Sequence, residues 1–395
     1  MSLLPVAEAQ ARLLALGEPL PVEEVRLLDA LGRWAARPVT ARRTQPAADL
    51  SAMDGYALRF AEMPGPWTVV GESAAGAGFD RPLAPHEAAR IFTGAPLPAG
   101  ADTILVQEEA ARSGDSLRLD GEGPPRKGAH VRAAGSDFAA DSLLLAEGAP
   151  VGPPQIAIAA LGGHGTLPVR RRPRIALLST GDELVPVGAP TPGVTLPSSN
   201  APMLAALLGA TLPAEVEDRG IVADNLDGMT AAFADAADAD IIVTTGGASV
   251  GDRDFVRPAL DRAGATLDFW RIAMKPGKPL LAGRLGKAIV LGLPGNPVSA
   301  YVTAWLFLLP LVRHLLGAPD PFAKARTARL GAPLPATGAR AEYLRGCYGP
   351  GGVVEAGSQD SAAMRALAAA ELLIVRPPSS PAAAIGDSVE ILPFA

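Results

Sequence analysis

Near the start of the chain, apolar residues recur at intervals of three and four. They are Val6, Ala9, Leu13 and Leu16. This is the period of one face of an α-helix, so the spacing predicts a helix over 5–16. The segment 23–31 is predicted as a second, shorter helix because Gly32 follows it, and glycine often stands just past the end of a helix.

From Thr44 to Asp141 the pattern changes to short β-type runs. Trp67-Thr-Val-Val70 and Thr103-Ile-Leu-Val106 are separated by turns rich in glycine and proline. Runs of this length, bounded by turn residues, are typical of strands. We predict a compact β-rich module in this part of the chain.

Beyond Arg174, strands and helices alternate. The predicted strands are 174–179, 241–244, 267–272 and 288–291, and the predicted helices are 200–208, capped by Asn200, then 225–237, 254–263 and one that begins at Pro297. Alternation at this spacing predicts a mainly parallel sheet with helices on both faces. Ligands of such folds bind outside the carboxyl ends of the strands.

Smaller elements flank this alternating region. A helix is predicted over 153–161, and Arg170-Arg-Arg172 is predicted as a basic hinge before the first strand. β-type runs at 341–344, 372–375 and 389–392 predict a small β module at the end of the chain. The predicted fold class is a multi-domain α/β and β protein.

Composition narrows the classes of function. Of the 395 residues, 48% are hydrophobic and 19% are charged, so the chain can bury several cores. The net charge of −6 argues against a nucleic-acid-binding protein, which would carry a basic excess. A few basic side chains in a cleft can still bind small anionic substrates.

Cysteine and histidine usage bears on metal binding. Cys347 is the only cysteine, and the four histidines are scattered without the spacing of metal ligands. A zinc or thiolate site is therefore not expected. A bound cation would be a hard one held by carboxylates, which indicates Mg²⁺ before other metals.

The N-terminus does not resemble a signal peptide, because Glu8 and Arg12 interrupt its apolar stretch and no basic segment precedes it. The longest apolar stretch, 298–312, falls short of the ~20 residues that a membrane-spanning helix needs. We predict a buried helix there. The expected protein is soluble and cytoplasmic, with no membrane partner.

The sharpest local signal is the loop Thr244-Thr-Gly-Gly-Ala-Ser-Val-Gly-Asp-Arg-Asp254, which lies between a predicted strand and a predicted helix. Its glycines let backbone N–H groups approach an anion. The candidate ligand-binding residues are Gly246, Gly247, Ser249 and Gly251. A lone glycine loop is usually a capped turn, but this one is accompanied by other motifs.

Carboxylates follow several of the predicted strands. Thr180-Gly-Asp-Glu-Leu184 places Glu183 after the first strand, Asp224 follows another candidate strand, and Asp254 ends the glycine loop. Each acid alone would be a helix cap or a solvated charge. Because the carboxyl ends of parallel strands share one edge, the three acids together predict a Mg²⁺ site for a polyphosphate.

Two proline-flanked turns add positive charge and free N–H groups. Lys275-Pro-Gly-Lys-Pro279 limits the backbone, so Lys275 and Lys278 could bind one oxyanion, although a surface turn with two solvated lysines is the plainer interpretation. In Leu293-Pro-Gly-Asn-Pro297, Pro297 suits the first position of a helix and Pro294 precedes it.

Three further candidates lie in the N-terminal half. Asp54 stands at a tight turn in Ser51-Ala-Met-Asp-Gly-Tyr-Ala57, Thr93 begins a glycine- and proline-rich loop, and Asp137 ends Gly135-Ser-Asp137. No local pattern links them to the α/β region. The residues alone indicate a multi-domain enzyme that handles phosphorylated anions, with Mg²⁺.

Taken together, the motifs resemble the molybdopterin molybdenumtransferase family, which includes the bacterial MoeA proteins and the E domain of gephyrin. The matching blocks, in order, are SAMDGYA (51–57), TGAPLPAGAD (93–102), GSD (135–137), STGDEL (179–184), TTGGASVGDRD (244–254), KPGKP (275–279), LPGNP (293–297) and LRG (344–346). One block alone would be weak evidence. The ordered set covers nearly the whole chain and is specific.

The resemblance implies four domains and a homodimer. The expected boundaries are an elongated domain from 1–43 and 142–172, an inserted β-rich domain over 44–141, an α/β pterin-binding domain over 173–318 and a small β-barrel-like domain over 319–395. The implied active cleft lies between the α/β domain of one subunit and the β-rich domain of its partner. Asp54, Thr93 and Asp137 could then reach the α/β site.

By position, the resemblance assigns functional roles to twelve residues. They are Asp54, Thr93, Asp137, Glu183, Asp224, Asp254, Lys275, Lys278, Pro294, Pro297, Arg345 and Ser361. The chain departs from the family pattern at Ser198, where an acidic residue usually precedes the Ser-Asn pair, and at 368–370, which lack the usual polar ending.

The implied reaction inserts molybdenum from molybdate into adenylylated molybdopterin, with Mg²⁺-dependent release of AMP. The adenylyltransferase and other proteins of molybdenum cofactor biosynthesis are the candidate partners. Two alternatives remain. An adenylyltransferase would need only the α/β domain, and a gephyrin-like scaffold would show a peptide-binding groove with dispensable acids and lysines.

Overall fold

The computed structural model describes residues 3–247 and 255–394. Its helices are Val6–Leu14, Pro153–Leu161, Asn200–Thr211, Leu226–Asp235, Val256–Arg262, Pro297–Thr303, Leu309–Leu315 and Met364–Ala368. Short 3-10 turns lie at Leu27–Ala30, Phe60–Glu62 and Gln107–Glu109. The helices predicted near the N-terminus, at 153–161 and between the strands of the α/β region are confirmed, with ends that differ by a few residues.

The α/β region is built on a six-stranded sheet. Its strands, in spatial order, are Glu215–Val222, Arg174–Thr180, Ile241–Thr245, Ala288–Leu293, Pro279–Leu285 and Thr266–Arg271. The first four are parallel, and Pro279–Leu285 is antiparallel to both of its neighbours. The predicted mainly parallel sheet is confirmed. The candidate strand before Asp224, for which the pattern gave no bounds, is Glu215–Val222, and the pattern did not reveal the strand Pro279–Leu285.

Helices cover both faces of this sheet, and alternate residues of each strand face opposite cores. Ile175 and Leu177 pack into one cluster, with the helix from Pro297, whereas Ala176 and Leu178 pack into the other, with Leu226–Asp235 and Val256–Arg262. Near-continuous apolar strands are the signature of a sheet that is buried on both sides. The sheet therefore holds its strand ends rigidly.

The segment Pro297–Leu315 is one continuous helix with a π-helical stretch at Ala304–Leu308. It is apolar and long enough to cross a membrane by length and composition, yet 83% of its most apolar 18-residue window is buried inside the protein. Leu306, Phe307 and Leu311 belong to the larger core cluster. The prediction of a buried helix is confirmed.

The predicted helix at 23–31 is wrong. Val22–Arg26 is a strand that pairs antiparallel with Thr166–Arg170, and a 3-10 turn follows it. The partner strand lies about 140 residues away in the chain, so local spacing could not reveal the pairing. In the predicted basic hinge, Arg170 ends the strand Thr166–Arg170, and the two terminal nitrogens of Arg171 each donate to Asp240 at 2.7 Å.

The region 44–141 is β-rich, as predicted. Its six-stranded sheet has the order Thr103–Val106, Gly55–Leu58, Glu87–Ile91, Trp67–Ser73, Ser116–Leu119 and Ala110–Ser113. Short pairs join Leu50–Ser51 to Val131–Arg132 and Val39–Thr40 to Leu143–Leu145. Two small clusters around Trp67 and Ile91 form its cores.

The C-terminal region forms a third six-stranded sheet. Its strands, in order, are Met274–Lys275, Ala341–Gly349, Leu372–Arg376, Ser388–Pro393 and Arg326–Arg329, with Gly352–Glu355 paired to Ala341–Gly349. The predicted strands at 341–344, 372–375 and 389–392 are confirmed. Met274–Lys275 comes from the α/β region and pairs with the C-terminal strand Ala341–Gly349, so the two parts share a hydrogen-bonded edge. Elsewhere, Leu184–Val185 pairs with Leu196–Pro197.

Candidate functional site

Three turns meet at the carboxyl edge of the central sheet, after Thr180, Thr245 and Leu293. The hydroxyl of Thr180 donates to the carbonyl of Thr245 at 3.3 Å, and the N–H of Gly246 donates to the carbonyl of Leu293 at 3.2 Å. A Cβ atom at Gly246 would lie 2.5 Å from the carbonyl oxygen of Thr180. The turns therefore touch through backbone atoms, which only glycine at 246 allows.

Gly246 and Gly247 have φ values of +97° and +61°. This left-handed backbone lets successive N–H groups point toward one side, which is the geometry of an anion-binding turn. The other predicted residues of the loop, Ser249, Gly251 and Asp254, lie outside the described residues.

The turn at 294–297 leads into the long core helix. Pro294 is buried, Asn296 precedes the helix, and Pro297 occupies its first turn, as its sequence position predicts. Proline there leaves the following N–H groups free at the positive end of the helix. The turn places these donors beside Gly246, because Gly295 lies against the backbone of Gly246.

Two asparagines that local patterns did not single out for the site hold this turn. The side-chain amide of Asn200 donates to the carbonyl of Gly295 at 2.7 Å, and that of Asn296 donates to the hydroxyl of Ser361 at 2.9 Å. Asn200 was predicted as a helix cap, but Ser199 takes that position and Asn200 begins the helix. Ser361 thereby joins the C-terminal region to the sheet edge.

Acidic side chains gather at the neighbouring strand ends. The N–H of Asp224 donates to a carboxylate oxygen of Asp182 at 3.0 Å. Partial burial raises the pKa of Asp224, and the negative charges of Asp182 and Glu183 add to that effect. A cation would relieve this repulsion. Within the described residues, however, no group of three His, Cys, Asp or Glu side chains is arranged to hold a metal ion.

The two predicted lysines differ in their surroundings. Lys275 lies 3.4 Å from a carboxylate oxygen of Glu342, which belongs to the C-terminal region. Lys278 is exposed, and in the described part of the chain no carboxylate lies within salt-bridge distance of it. Between them, a Cβ atom at Gly277 would lie 2.4 Å from a methyl carbon of Thr303, so the turn packs on the helix that begins at Pro297.

Arg345 is buried, with 1% of its surface exposed. Its guanidinium donates to the carbonyls of Ser358 and Asp360, both at 2.9 Å, and burial lowers its pKa. These bonds order the loop that carries Ser361. In this arrangement Arg345 supports the site from behind the loop.

Asp54 and Thr93 form a pair in the β-rich region. The backbone N–H and the hydroxyl of Thr93 both donate to Oδ1 of Asp54 at 2.8 Å. The N–H bond lowers the pKa of Asp54 most, the hydroxyl bond adds to it, and the charge of Arg90 contributes. Asp54 is therefore a carboxylate at neutral pH.

In the described part of a single chain, the hydrogen bonds of this pair stay within the β-rich region 44–141. Asp137 is exposed in the same β-rich region, and its N–H donates to the carbonyl of Gln45 at 3.1 Å. The fold thus presents two sets of predicted site residues on separate parts of one chain.

The sheet edge has the parts of a site for a phosphorylated anion. Glycine-turn and helix N–H groups supply donors, Lys278 supplies a positive charge, and the acids near Asp224 supply oxygen ligands for a hard cation. No cysteine or histidine nucleophile is placed there among the described residues.

Three family models match the chain in order. The MoeA N-terminal region (domain I and II) matches residues 4–163, a probable molybdopterin-binding domain matches 176–314, and the MoeA C-terminal region (domain IV) matches 327–394. Together they span almost the whole chain.

Whole-length relatives agree. A molybdopterin molybdenumtransferase of Haemophilus influenzae is 34% identical over 99% of both chains. One of Bacillus subtilis is 31% identical over 98% of this chain and 94% of its own. A crystal structure of the MoeA protein of Pyrococcus horikoshii, 26% identical, covers 100% of both chains with a TM-score of 0.83.

Proposed function

The chain belongs to the molybdopterin molybdenumtransferase family, and from that membership we propose that it transfers molybdenum from molybdate to adenylylated molybdopterin with release of AMP. In this reaction water cleaves the phosphoanhydride, AMP leaves with one phosphate, and the pterin keeps the other. The two dithiolene sulfurs bind the molybdenum in place of one oxo ligand of molybdate, which leaves as water with the two thiol protons. The reaction belongs to molybdenum cofactor biosynthesis.

The observation that carries the proposal is the meeting of the turns after Thr180, Thr245 and Leu293. Gly246 and Gly295 bring backbone N–H groups from two turns to one point, beside the start of a core helix. Such a point suits the phosphates of the substrate, because N–H dipoles and the helix end are fixed before the anion arrives. Lys278, and Lys275 once it is released from Glu342, would cover molybdate or phosphate with positive charge.

Mg²⁺ belongs to the same proposal. Glu183 and Asp224 offer the oxygen ligands that Mg²⁺ prefers, and the mutual repulsion that raises the pKa of Asp224 favours a cation there. Substrate phosphates and Asp254 would supply further ligands. Bound Mg²⁺ would offset the negative charge that develops on the phosphoanhydride. Asp54, Thr93 and Asp137 would orient the substrate and water from the other side of the cleft.

The proposed functional unit is a homodimer, because a second copy would account for this division of roles. In the described chain, the hydrogen bonds of Asp54 and Thr93 stay within the β-rich region 44–141. A second copy that sets its β-rich region over this sheet edge would bring the pair to the substrate. Cytoplasmic action is part of the proposal, and its support is the single cysteine, Cys347.

The test is a metal-insertion assay with the purified chain, adenylylated molybdopterin and molybdate, with and without Mg²⁺. AMP release and molybdenum bound to the pterin should rise together in equal amounts, and a chelator should stop both. AMP release without metal insertion would contradict the transferase proposal. Equal rates with and without the chelator would contradict the Mg²⁺ site alone.

A further inference from the structure

Arg90 lies beside the Asp54–Thr93 pair. It stands on the strand Glu87–Ile91, opposite Tyr56 of the antiparallel strand Gly55–Leu58. Asp54 directly precedes the second strand, and Thr93 follows the first by two residues. The side chain of Arg90 therefore starts next to the turn at which the pair is formed.

Four contacts hold the guanidinium of Arg90. It donates to the carbonyl of Gly55 at 3.1 Å and to Oε1 of Gln107 at 2.6 Å. Its central carbon also lies 5.2 Å from the ring centroid of Tyr56 and 4.9 Å from that of Phe92. Planar hydrogen bonding and stacking on two rings are properties of arginine that lysine does not share.

Three of the residues that contact Arg90 are linked directly to Asp54 or Thr93. Gly55 follows Asp54, and Phe92 precedes Thr93. The N–H of Gln107 donates to the carbonyl of Asp54 at 3.1 Å. Arg90 thus connects the three backbone segments that set the distance and angle between Asp54 and Thr93.

The charge of Arg90 acts on Asp54 at a distance, without a hydrogen bond between the two side chains in the described chain. Its positive charge adds to the two Thr93 bonds in lowering the pKa of Asp54. In the described part of the chain, however, Arg90 makes no hydrogen bond to that carboxylate. Thr93 donates to Oδ1, and within the described residues no hydrogen bond to Oδ2 is made.

We propose that Arg90 is a positioning residue for the transferase reaction, which fixes the Asp54–Thr93 pair in the geometry that meets the substrate. The inference rests on the proposed function, in which Asp54 takes part in turnover. Arg90 itself does not touch the reacting atoms. Its loss should therefore lower kcat more than it changes the KM for either substrate.

The experiment compares Arg90→Gln, Arg90→Lys, Asp54→Asn and the double variant Asp54→Asn/Arg90→Gln in the metal-insertion assay, with thermal melting of each. Arg90→Gln should lower kcat about three- to tenfold, because the loss of its hydrogen bonds and ring contacts lets the Asp54–Thr93 pair shift from its position. Arg90→Lys keeps the charge but not the planar hydrogen bonds or the stacking on two rings, so it should restore little of that loss. In the Asp54→Asn background, Arg90→Gln should have no further effect.

Arg81→Gln is the matched control. Arg81 lies in the same β-rich region, 5.3 Å over the ring of Phe79, and pairs with Glu87 through two hydrogen bonds. It has the same kinds of contact as Arg90 but does not contribute to the pKa of Asp54. Its loss should leave kcat unchanged.

The outcomes separate the two proposals. A wild-type rate for Asp54→Asn would overturn the role of Asp54 in the proposed function. A slow Asp54→Asn variant with a wild-type Arg90→Gln variant would overturn the positioning role alone, as would additive losses in the double variant. If Arg90→Gln does not fold, Gln107→Ala removes one anchor and keeps the charge, and a wild-type kcat for that variant would overturn the inference.

Discussion

At the scale of single residues, the hydrogen bonds from Thr93 act on the pKa of Asp54. Its N–H and hydroxyl hold the pKa of that carboxyl below the usual value. Because this pKa is lowered, folding favours the ionised form of Asp54. The carboxylate and its hydrogen bonds are present above the folded pKa and are lost as the pH falls through it.

Thr93→Val keeps the N–H and removes the hydroxyl, so the pKa of Asp54 should rise. We expect the acid limb of kcat/KM to move to higher pH, measured over acidic to neutral buffers. Thr68→Val is the control because Thr68 is exposed in the same β-rich region. An unmoved acid limb in Thr93→Val would show that Asp54 does not set it.

Lys278 is the second residue whose charge can be tested. It is exposed and has no carboxylate partner among the described residues, so its ammonium is available for a substrate oxyanion. Lys278→Ala should raise the molybdate or pterin concentration needed for half-maximal rate about ten- to a hundredfold. The melting temperature should stay unchanged, since Gly277 and the prolines set the turn.

Lys287→Ala is the matched control for Lys278→Ala. Lys287 is also exposed, but it lies in the turn between Pro279–Leu285 and Ala288–Leu293, at the opposite end of the sheet. Both substrates are titrated against both variants. Identical titrations for Lys278→Ala and the wild type would place the anion site elsewhere.

At the scale of elements, the site depends on how closely the turn after Ile241–Thr245 approaches the neighbouring strand. Gly246→Ala adds a Cβ atom 2.5 Å from the carbonyl oxygen of Thr180, at a φ of +97°. Backbone strain and the clash should together lower the free energy of unfolding by about 2–4 kcal/mol. Urea denaturation measures the loss.

The variant Gly264→Ala separates the loss of stability due to backbone strain from the loss due to the clash. Gly264 has a similar φ of +83°, but nothing lies within 4 Å of its added Cβ atom. It should therefore lose only the strain contribution, about 1 kcal/mol, and keep full activity. Equal losses of stability in the two variants would mean that the turn relaxes away from Thr180.

At the scale of the whole molecule, the shared cleft can be tested by mixing subunits. Below saturating substrate, Asp54→Asn and Lys278→Ala should each be slow alone, because every cleft of either homodimer has one altered side. After the two variants are unfolded and refolded together, each mixed dimer has one intact cleft and one with both changes. The mixture should recover about a quarter of the wild-type rate.

Two controls make the mixing experiment decisive. A refolded mixture of Asp54→Asn and Thr93→Val should have a rate no higher than the average of the two single-variant rates, because both changes lie on the same side of the cleft. Light scattering confirms that dimers form after refolding. A monomer with full activity, or no recovery in the first mixture, would contradict the shared cleft.

Local sequence patterns were sufficient where the governing interactions are local. The spacing of Val6 to Leu16, the apolar strands of the α/β region and Pro297 at a helix start all predicted elements that the structure contains. Turn chemistry is equally local, so the left-handed glycines 246 and 247 were foreseeable. The order of the motif blocks also identified the family, which the whole-length comparisons confirm.

Tertiary structure decided what depends on distant partners. The strand Val22–Arg26 needs Thr166–Arg170 beside it, and the strand Pro279–Leu285 is set by its antiparallel pairing with both neighbours. Arg345 is buried against carbonyls of its own loop, and Lys275 is paired with Glu342. Asn200 gained its contact with Gly295 only through folding.

Local patterns therefore predicted most of the helices and strands of the α/β region, the chemistry of the turns and the family. Only the three-dimensional arrangement decided which charges are free, which are paired and which loops touch. These two groups of features differ in the sequence separation over which the governing interactions act. Backbone conformation and helix or strand period act over a few residues, whereas salt bridges, strand pairing and burial join residues whose separation along the chain carries no local signal.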